Sequence, residues 1–529
     1  MPTGPPQVDT VQRSPQYLAV GIDLGTTYSA IAYLDPTGRP QTVPNLEGDK
    51  LTPSVVFFDE DAVVVGKEAL KAVATHANET AQCMKRELGR RFYDKELGGR
   101  HYPPEALEAW VLDKIRRDAA RVLGDFRQVV ITVPAYFDEV RRKATQDAGY
   151  IAGLDVIDII NEPTAAAIAF GYEQGLLRET SAHARPSRIL VYDLGGGTFD
   201  VTIMEISGTE FITLATDGDV LLGGHDWDGR LVDLAAEEFI RAHDSDPRDD
   251  PNTLGRLWRD CEDAKRTLSA RQKAAIPCDF HGHSLRFEVT RAQFEEATRD
   301  LLDRTAFTTR QTLRAASLDW RQIDRILLVG GSTRMPAVVD MLTRMSGKTP
   351  DTSIAADEAV GYGAALHAGR MIAQSRGLPP PFTIRNVNSH SLGVVATDPM
   401  TRRRRNAVII PRNTPLPVSA KRIFRTQKAG QRSVLVQIVE GESATADECV
   451  PIGQCSLRDL PTDLPAQTPI EVRFRYLDNG RLSVLVNVAG TQSWVQRELV
   501  RENSLTTEQL QTWRRFVTGA PAPAPDDRT

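Results

Sequence analysis

The chain lacks the features that mark membrane, secreted or nucleic-acid-binding proteins. No run in its 529 residues approaches the roughly 18 apolar residues that span a bilayer. The opening MPTGPPQVDTVQRSPQ has no apolar core of the kind a secretory signal carries, so residues 1–16 are expected to be a disordered leader. Cysteine is scarce. Cys83, Cys261, Cys278, Cys449 and Cys455 form an odd, scattered set without C-x-x-C spacing, which fits reduced thiols in a cytoplasmic protein better than disulfides or zinc. No cysteine or acidic partner completes a metal site with His281 and His283, which read as part of a turn. Charge is nearly balanced, 64 basic against 70 acidic residues for a net −6, giving no general attraction to nucleic acid or anionic membrane. The basic run Arg402–Arg405 lies between apolar stretches and reads as a solvated hairpin loop.

One internal similarity stands out. YLAVGIDLGTTYSAIAYL (17–34) and ILVYDLGGGTFDVTIMEI (189–206) share a plan of apolar strand, Asp-Leu-Gly turn with a threonine, and apolar strand. Two such hairpins suggest two similar lobes, each presenting a glycine turn. Between them, QVVITVPAYF reads as a buried strand, DEVRRKATQDAGYIAGL as a helix, and NEPTAAAIAFGY as a second helix. Further on, GRLWRDCEDAKRTLSA places Leu257, Trp258, Cys261, Ala264 and Leu268 on one stripe and Glu262, Lys265, Arg266 and Ser269 on another. Strands and helices alternate through 17–376, an α/β pattern. The prolines of GLPPPFTIRNV open a linker at 377–387. Period-two alternation follows, in Val434, Val436, Ile438 and again in Ile470, Val472, Phe474, Tyr476 before a D-N-G turn, so 388–502 reads as an all-β domain. A short helix is expected at 503–517 and a Pro/Ala-rich tail at 518–529.

The three glycines Gly195, Gly196 and Gly197 lack Cβ atoms, so backbone N–H groups there can close on an anion. Thr26 and Thr198 add hydroxyl donors. Carboxylates beside a phosphate chain repel it unless a cation intervenes, so Asp23, Asp193 and Asp200 imply Mg²⁺ held largely through water. Lys85 and Arg86 are candidates to offset charge on a transferring phosphoryl group. GGST before the helix at 335 offers another close backbone approach. SGKT (346–349) is a decoy, because Leu342 stands where a P-loop needs glycine.

Together, GIDLGTTYSA, TPSVVFF, KRELGRRF, ITVPAYFDEVRRKATQDAGYIAGLDVIDIINEPTAAAIAFGY, VYDLGGGTFDV, CEDAKRTLS, LLVGGSTRMP and DEAVGYGAA resemble the Hsp70 (DnaK-type) chaperones, in the family's order over nearly all of 17–370. The resemblance implies an actin-like two-lobed ATPase domain followed by a peptide-binding β-sandwich, with ATP/ADP and Mg²⁺ as cofactors. It implies that Gly25, Thr26, Thr27 and Tyr28 line the phosphate site with Gly195–Thr198. Lys85 would help position the attacking water. Asp23, Glu162, Asp193 and Asp200 would organise Mg²⁺ and water, and Thr198 would lie near the γ-phosphate. Glu262, Lys265, Arg266 and Ser269 would hold adenosine with Gly330, Gly331, Ser332, Arg334 and Asp357; from helical spacing alone they read as a solvated face. Phosphoryl transfer in such a site is positioning plus charge compensation, without a covalent nucleophile.

The same comparison exposes departures. The family's leucine-rich, aspartate-ended linker is here Phe382, Thr383, Ile384, Arg385, Asn386, and is expected to lose both its apolar and its carboxylate docking terms. Asp158 stands where the family has an arginine used for J-domain contact, which puts a J-protein partner in question. In the peptide cleft Leu392, Val394, Phe424, Val434 and Val436 keep apolar positions, although ordinary core alternation explains Leu392, Val394 and Val434 equally well. Arg481 replaces an apolar residue, and Thr397 and Gln427 replace the arch over the peptide. Only one short helix follows the β-domain, so the family's helical lid is expected to be missing. The reading is an Hsp70-like chaperone hydrolysing Mg-ATP slowly to control a polypeptide client, together with a nucleotide exchange factor. The alternative is an ATP-gated adaptor for one protein partner. A sugar kinase on the actin fold is disfavoured by the β-domain.

Overall fold

Each lobe is organised around one of the two glycine-turn hairpins. In the computed structural model, which describes residues 18–60, 62–177, 185–398, 400–477, 482–498 and 505–519, Val20–Asp23 pairs antiparallel with Tyr28–Leu34 and parallel with Gln128–Val133. Ser187–Leu194 likewise pairs antiparallel with Phe199–Ser207 and parallel with Arg325–Val329. The repeated plan gives two sheets of the same construction, extended by Asp155–Asn161 in lobe I and by Glu210–Asp219 in lobe II. Helices cover both faces, as a parallel core strand requires. Helices Glu162–Glu173 and Ala359–Ser375 pack on each other between the lobes.

The second part is a sandwich of two four-stranded antiparallel sheets. Ile470, Val472, Phe474 and Tyr476 alternate inward as their spacing predicts, and face Leu392, Val394, Val434 and Val436 in one core. Arg402–Arg405 forms the exposed end of a hairpin, and His281 lies in a turn between two strands. The leader at 1–16, most of the tail and Arg481 lie outside the described residues.

The linker corrects an expectation. Thr383–Arg385 pairs parallel with Glu210–Ile212 at the edge of the lobe II sheet. Phe382 is fully buried, its ring 5.7 Å from that of Phe211, and the Thr213 hydroxyl donates to Asn386 Oδ1 at 3.3 Å. Strand pairing uses the backbone and tolerates the changed side chains, while one buried phenylalanine contributes on the order of 2 kcal/mol. Asp158, the position of the charge reversal, has a contact that the sequence did not signal. Its Oδ2 lies 2.7 Å from Nε2 of the buried His367, so the acid has a partner within the ATPase domain.

The sandwich rests on lobes I and II beside the linker. The Ser389 hydroxyl donates to the Ala135 carbonyl, and His390 Nε2 lies 2.9 Å from the Tyr136 carbonyl. Arg412 meets Asp217 at 2.9 Å, and the Thr216 N–H donates to Asn413 Oδ1 at 3.0 Å. The terminal helix Thr507–Val517 packs on lobe I, where Trp513 and Phe516 sit against Tyr102 and Trp110 and Arg514 covers the Tyr150 ring.

Two carboxyls meet in this seam. The Glu139 N–H donates to Glu440 Oε2 at 3.2 Å, and the Tyr476 hydroxyl donates to Glu139. Burial raises both acids, with Asp138 and then Glu139 adding repulsion at Glu440. The docked state therefore holds a proton that the separated domains release. Docking is strongest below the ordinary carboxylate range and weakens as pH rises toward the raised values. Linker cleavage by a protease is expected to increase as pH rises above the ordinary carboxylate range, and Glu440→Gln is expected to flatten that rise.

Candidate nucleotide site

The two hairpin turns meet at the floor of a cleft of about 1120 Å³ between the lobes. They touch closely enough that the bare glycines are needed for packing. A Cβ on Gly196 would lie 2.0 Å from Thr27 Oγ1, and one on Gly197 would lie 2.4 Å from Thr26 Cγ2. The Gly195 carbonyl accepts from the Gly224 N–H and the Ser332 hydroxyl, both at 2.9 Å, and the Gly196 carbonyl accepts from the His225 N–H at 2.7 Å. In a planar trans peptide the next N–H points opposite to the carbonyl. With those carbonyls held by lobe II, the Gly196 and Gly197 N–H groups turn away from it, toward lobe I and the cleft, as an anion cradle requires.

Beneath the turns lies a buried charge cluster. Lys85 is held in the short 3₁₀ turn Met84–Glu87 and donates to the Leu24 carbonyl and to Glu162 Oε1, each at 2.5 Å. Glu162 begins its helix directly after a strand of the lobe I sheet, with Pro163 behind it. Asp23 and Asp193 end the leading strands of the two hairpins. Asp23 accepts from the Thr132 hydroxyl at 3.0 Å, and Asp200 accepts from the Tyr136 N–H at 2.9 Å. Burial, then repulsion from Glu162, pushes Asp23 up to about 7 and Asp200 to about 8, against the pull of Lys85. Asp193 is raised by burial and by Glu162, Asp200 and Asp23. More carboxyl groups gather here than one ammonium can balance, although no group of three or more Asp, Glu, His or Cys among the described residues is placed to hold a metal ion directly.

The upper cleft is lined by Glu262, Lys265, Arg266 and Ser269 from one helix and by Gly330, Gly331, Ser332, Arg334 and Asp357 opposite. Arg266 bonds Glu262 at 2.6 Å and the Tyr28 hydroxyl at 2.9 Å, and Arg334 bonds Asp357 at 2.5 Å. Gly25, Thr26, Thr27, Tyr28, Lys85, Glu162, Gly195, Gly196 and Thr198 also line the cleft. Asp200 and Gly197 adjoin these residues without lining the cleft themselves.

A family model described as Hsp70 protein matches residues 19–100 and 94–515. The chain belongs to the Hsp70 family. It is 37% identical over 500 residues to the chaperone protein DnaK of Thermotoga neapolitana, covering 93% of this chain and 82% of that protein. It is 39% identical over 499 residues to the chaperone protein DnaK of Halobacterium salinarum, covering 93% and 76%. No helix among the described residues is long and apolar enough to cross a membrane.

Within this Hsp70 chain some cleft residues were not singled out from the motifs. Asp228, which bonds Lys265 Nζ at 2.7 Å, follows the glycine pair of LLGGHDWDG and could have been found from that repeat of glycine and acid. His225 stacks on Trp258 with ring centroids 4.2 Å apart, a pairing across two helices that no local spacing signals. The peptide-cleft candidates divide. Leu392, Val394, Val434 and Val436 are buried within the sandwich core, Phe424 is half-buried against it, and Arg481 is outside the described residues.

Gly197→Ala is expected to force the two turns apart and weaken ATP binding by at least about tenfold, read by calorimetry alongside a melting curve that shows the fold intact. Unchanged affinity would mean that the turns do not touch when nucleotide is bound.

Proposed function

We propose that this Hsp70 chain binds and hydrolyses Mg-ATP in the interlobe cleft and thereby controls how its β-sandwich holds a polypeptide. The observation that carries the reading is the linker strand. Thr383–Arg385 extends the same sheet whose hairpin supplies Asp193, the glycine turn and Thr198, so a change in that sheet reaches the sandwich through one strand. Tyr136 adds a second link, its N–H on Asp200 and its carbonyl at His390.

In the cleft, the Gly196 and Gly197 N–H groups and the Thr26, Thr27 and Thr198 hydroxyls bind phosphate oxygens. Lys85 places its ammonium where negative charge grows as the terminal phosphate leaves, and Glu162 orients that ammonium and the attacking water. Asp23 and Asp193 would hold Mg²⁺ through its water shell, and the ion supplies charge neutralisation between the phosphates. Glu262, Lys265, Arg266, Ser269, Arg334 and Asp357 fix the adenosine end. The terminal helix packs on lobe I rather than over the sandwich, and fast exchange of bound peptide is expected on that ground.

The test is single-turnover ATP hydrolysis with and without a mixed library of extended peptides. Peptide-stimulated hydrolysis is expected, with Lys85→Ala slowing it by about a hundredfold or more. Hydrolysis indifferent to every peptide, with binding to one folded partner retained, would favour an ATP-gated adaptor instead.

A further inference from the structure

Outside the groups assigned above, Glu108 is the ionisable residue most at odds with its surroundings. It lies on the helix Pro104–Leu123, is fully buried, and neither carboxyl oxygen has a hydrogen-bond partner among the described residues. A carboxylate in such a place is unfavourable unless it holds a proton or faces a counter-charge. Its helix packs on the turn Met84–Glu87, and Lys85 is the ionic group that acts on it. Beyond Lys85, no charged group among the described residues acts on it. Asp147 bonds Lys143, Arg86 bonds Asp226, Arg90 meets Glu87, and Arg514 covers Tyr150. No residue of this helix lines the cleft, whereas Lys85 and Glu162 both do. The ammonium therefore has Glu162 on its cleft side and Glu108 in the core, and the Leu24 carbonyl and Glu162 already take two of its three protons.

We propose that Glu108 is a positioning residue for Lys85, setting how far the ammonium reaches into the cleft according to whether the Glu108 carboxyl holds its proton. Protonated, Glu108 carries no charge and leaves Lys85 to Glu162 and the phosphate. Ionised, it draws the ammonium back into the core and lowers the positive charge the phosphate meets. Burial pushes Glu108 up to about 8 against the pull of Lys85, so the change falls within a workable range, and hydrolysis is lost as pH rises through it. The proposal rests on the role given to Lys85 above.

The experiment is single-turnover hydrolysis by the full chain at saturating Mg-ATP, from about pH 6.5 to about pH 9.5, for wild type, Glu108→Gln and Lys85→Ala. The wild-type rate is expected to fall by up to about tenfold per pH unit above its inflection, and the Glu108→Gln rate to change by less than about twofold over the same range. An alkaline loss that persists in Glu108→Gln while Lys85→Ala is inactive would overturn the role of Glu108 and leave that of Lys85. Wild-type hydrolysis by Lys85→Ala would overturn the reading of the cleft itself. Difference infrared spectra give a check that does not depend on turnover. Asp23, Asp200 and Glu440 contribute protonated-carboxyl bands of their own, so the expected result is one component that titrates away in wild type and is lost in Glu108→Gln, and identical bands in the two proteins would overturn the proposal.

Discussion

One ammonium among several carboxyls is the constraint around which the rest of the molecule is arranged. Lys85 sits with Glu162, Asp23 and Glu108 acting on it, and Asp193 and Asp200 complete the acidic surround. Burial alone would lower the lysine's pKa, and these acids raise it. The groups are largely buried between both sheets and the helix Pro104–Leu123, with Asp23, Lys85, Glu162 and Asp193 reaching the cleft. On the function proposed above, a divalent cation with a phosphate chain would bring charge of both signs to this cluster.

The lobes meet through surfaces that leave little slack. Gly196 and Gly197 fit against Thr27 and Thr26, so a small rotation of one lobe separates the two halves of the phosphate site together. Lobe II carries the linker strand on its sheet edge, and the sandwich bears on Ala135, Tyr136 and Glu139 of lobe I and on Thr216 and Asp217 of lobe II. A relative movement of the lobes thus strains the seat of the sandwich, and on the function proposed above this is how the cleft and a bound polypeptide would be coupled.

Much of this was legible in sequence because it depends on local pattern. The two hairpins, the helix at Glu162 and the alternation through Ile470–Tyr476 follow from spacing and turn chemistry. The motifs around the cleft sit on strand ends, where short stretches specify backbone shape. What escaped depended on distant partners. The linker's docking was illegible because strand pairing ignores side-chain identity, and because the aromatic pocket for Phe382 comes from Phe211, far away in the chain. Asp158 gave no sign of His367, which lies on another element. Glu105, Glu108 and Asp113 are all buried, although charged residues on a helix ordinarily face solvent, because strands, the helix Glu139–Ile151 and the terminal helix pack against Pro104–Leu123.

The central claim is that protonated carboxyls in the cleft give up protons when the cation and phosphates arrive. Calorimetric titration of the full chain with Mg-ATP near neutral pH, repeated in two buffers of different ionisation enthalpy, measures this directly. Asp23 at about 7 and Asp200 at about 8 predict a net release of protons into the buffer. Binding heats that are the same in both buffers, or a net uptake of protons, would contradict the account.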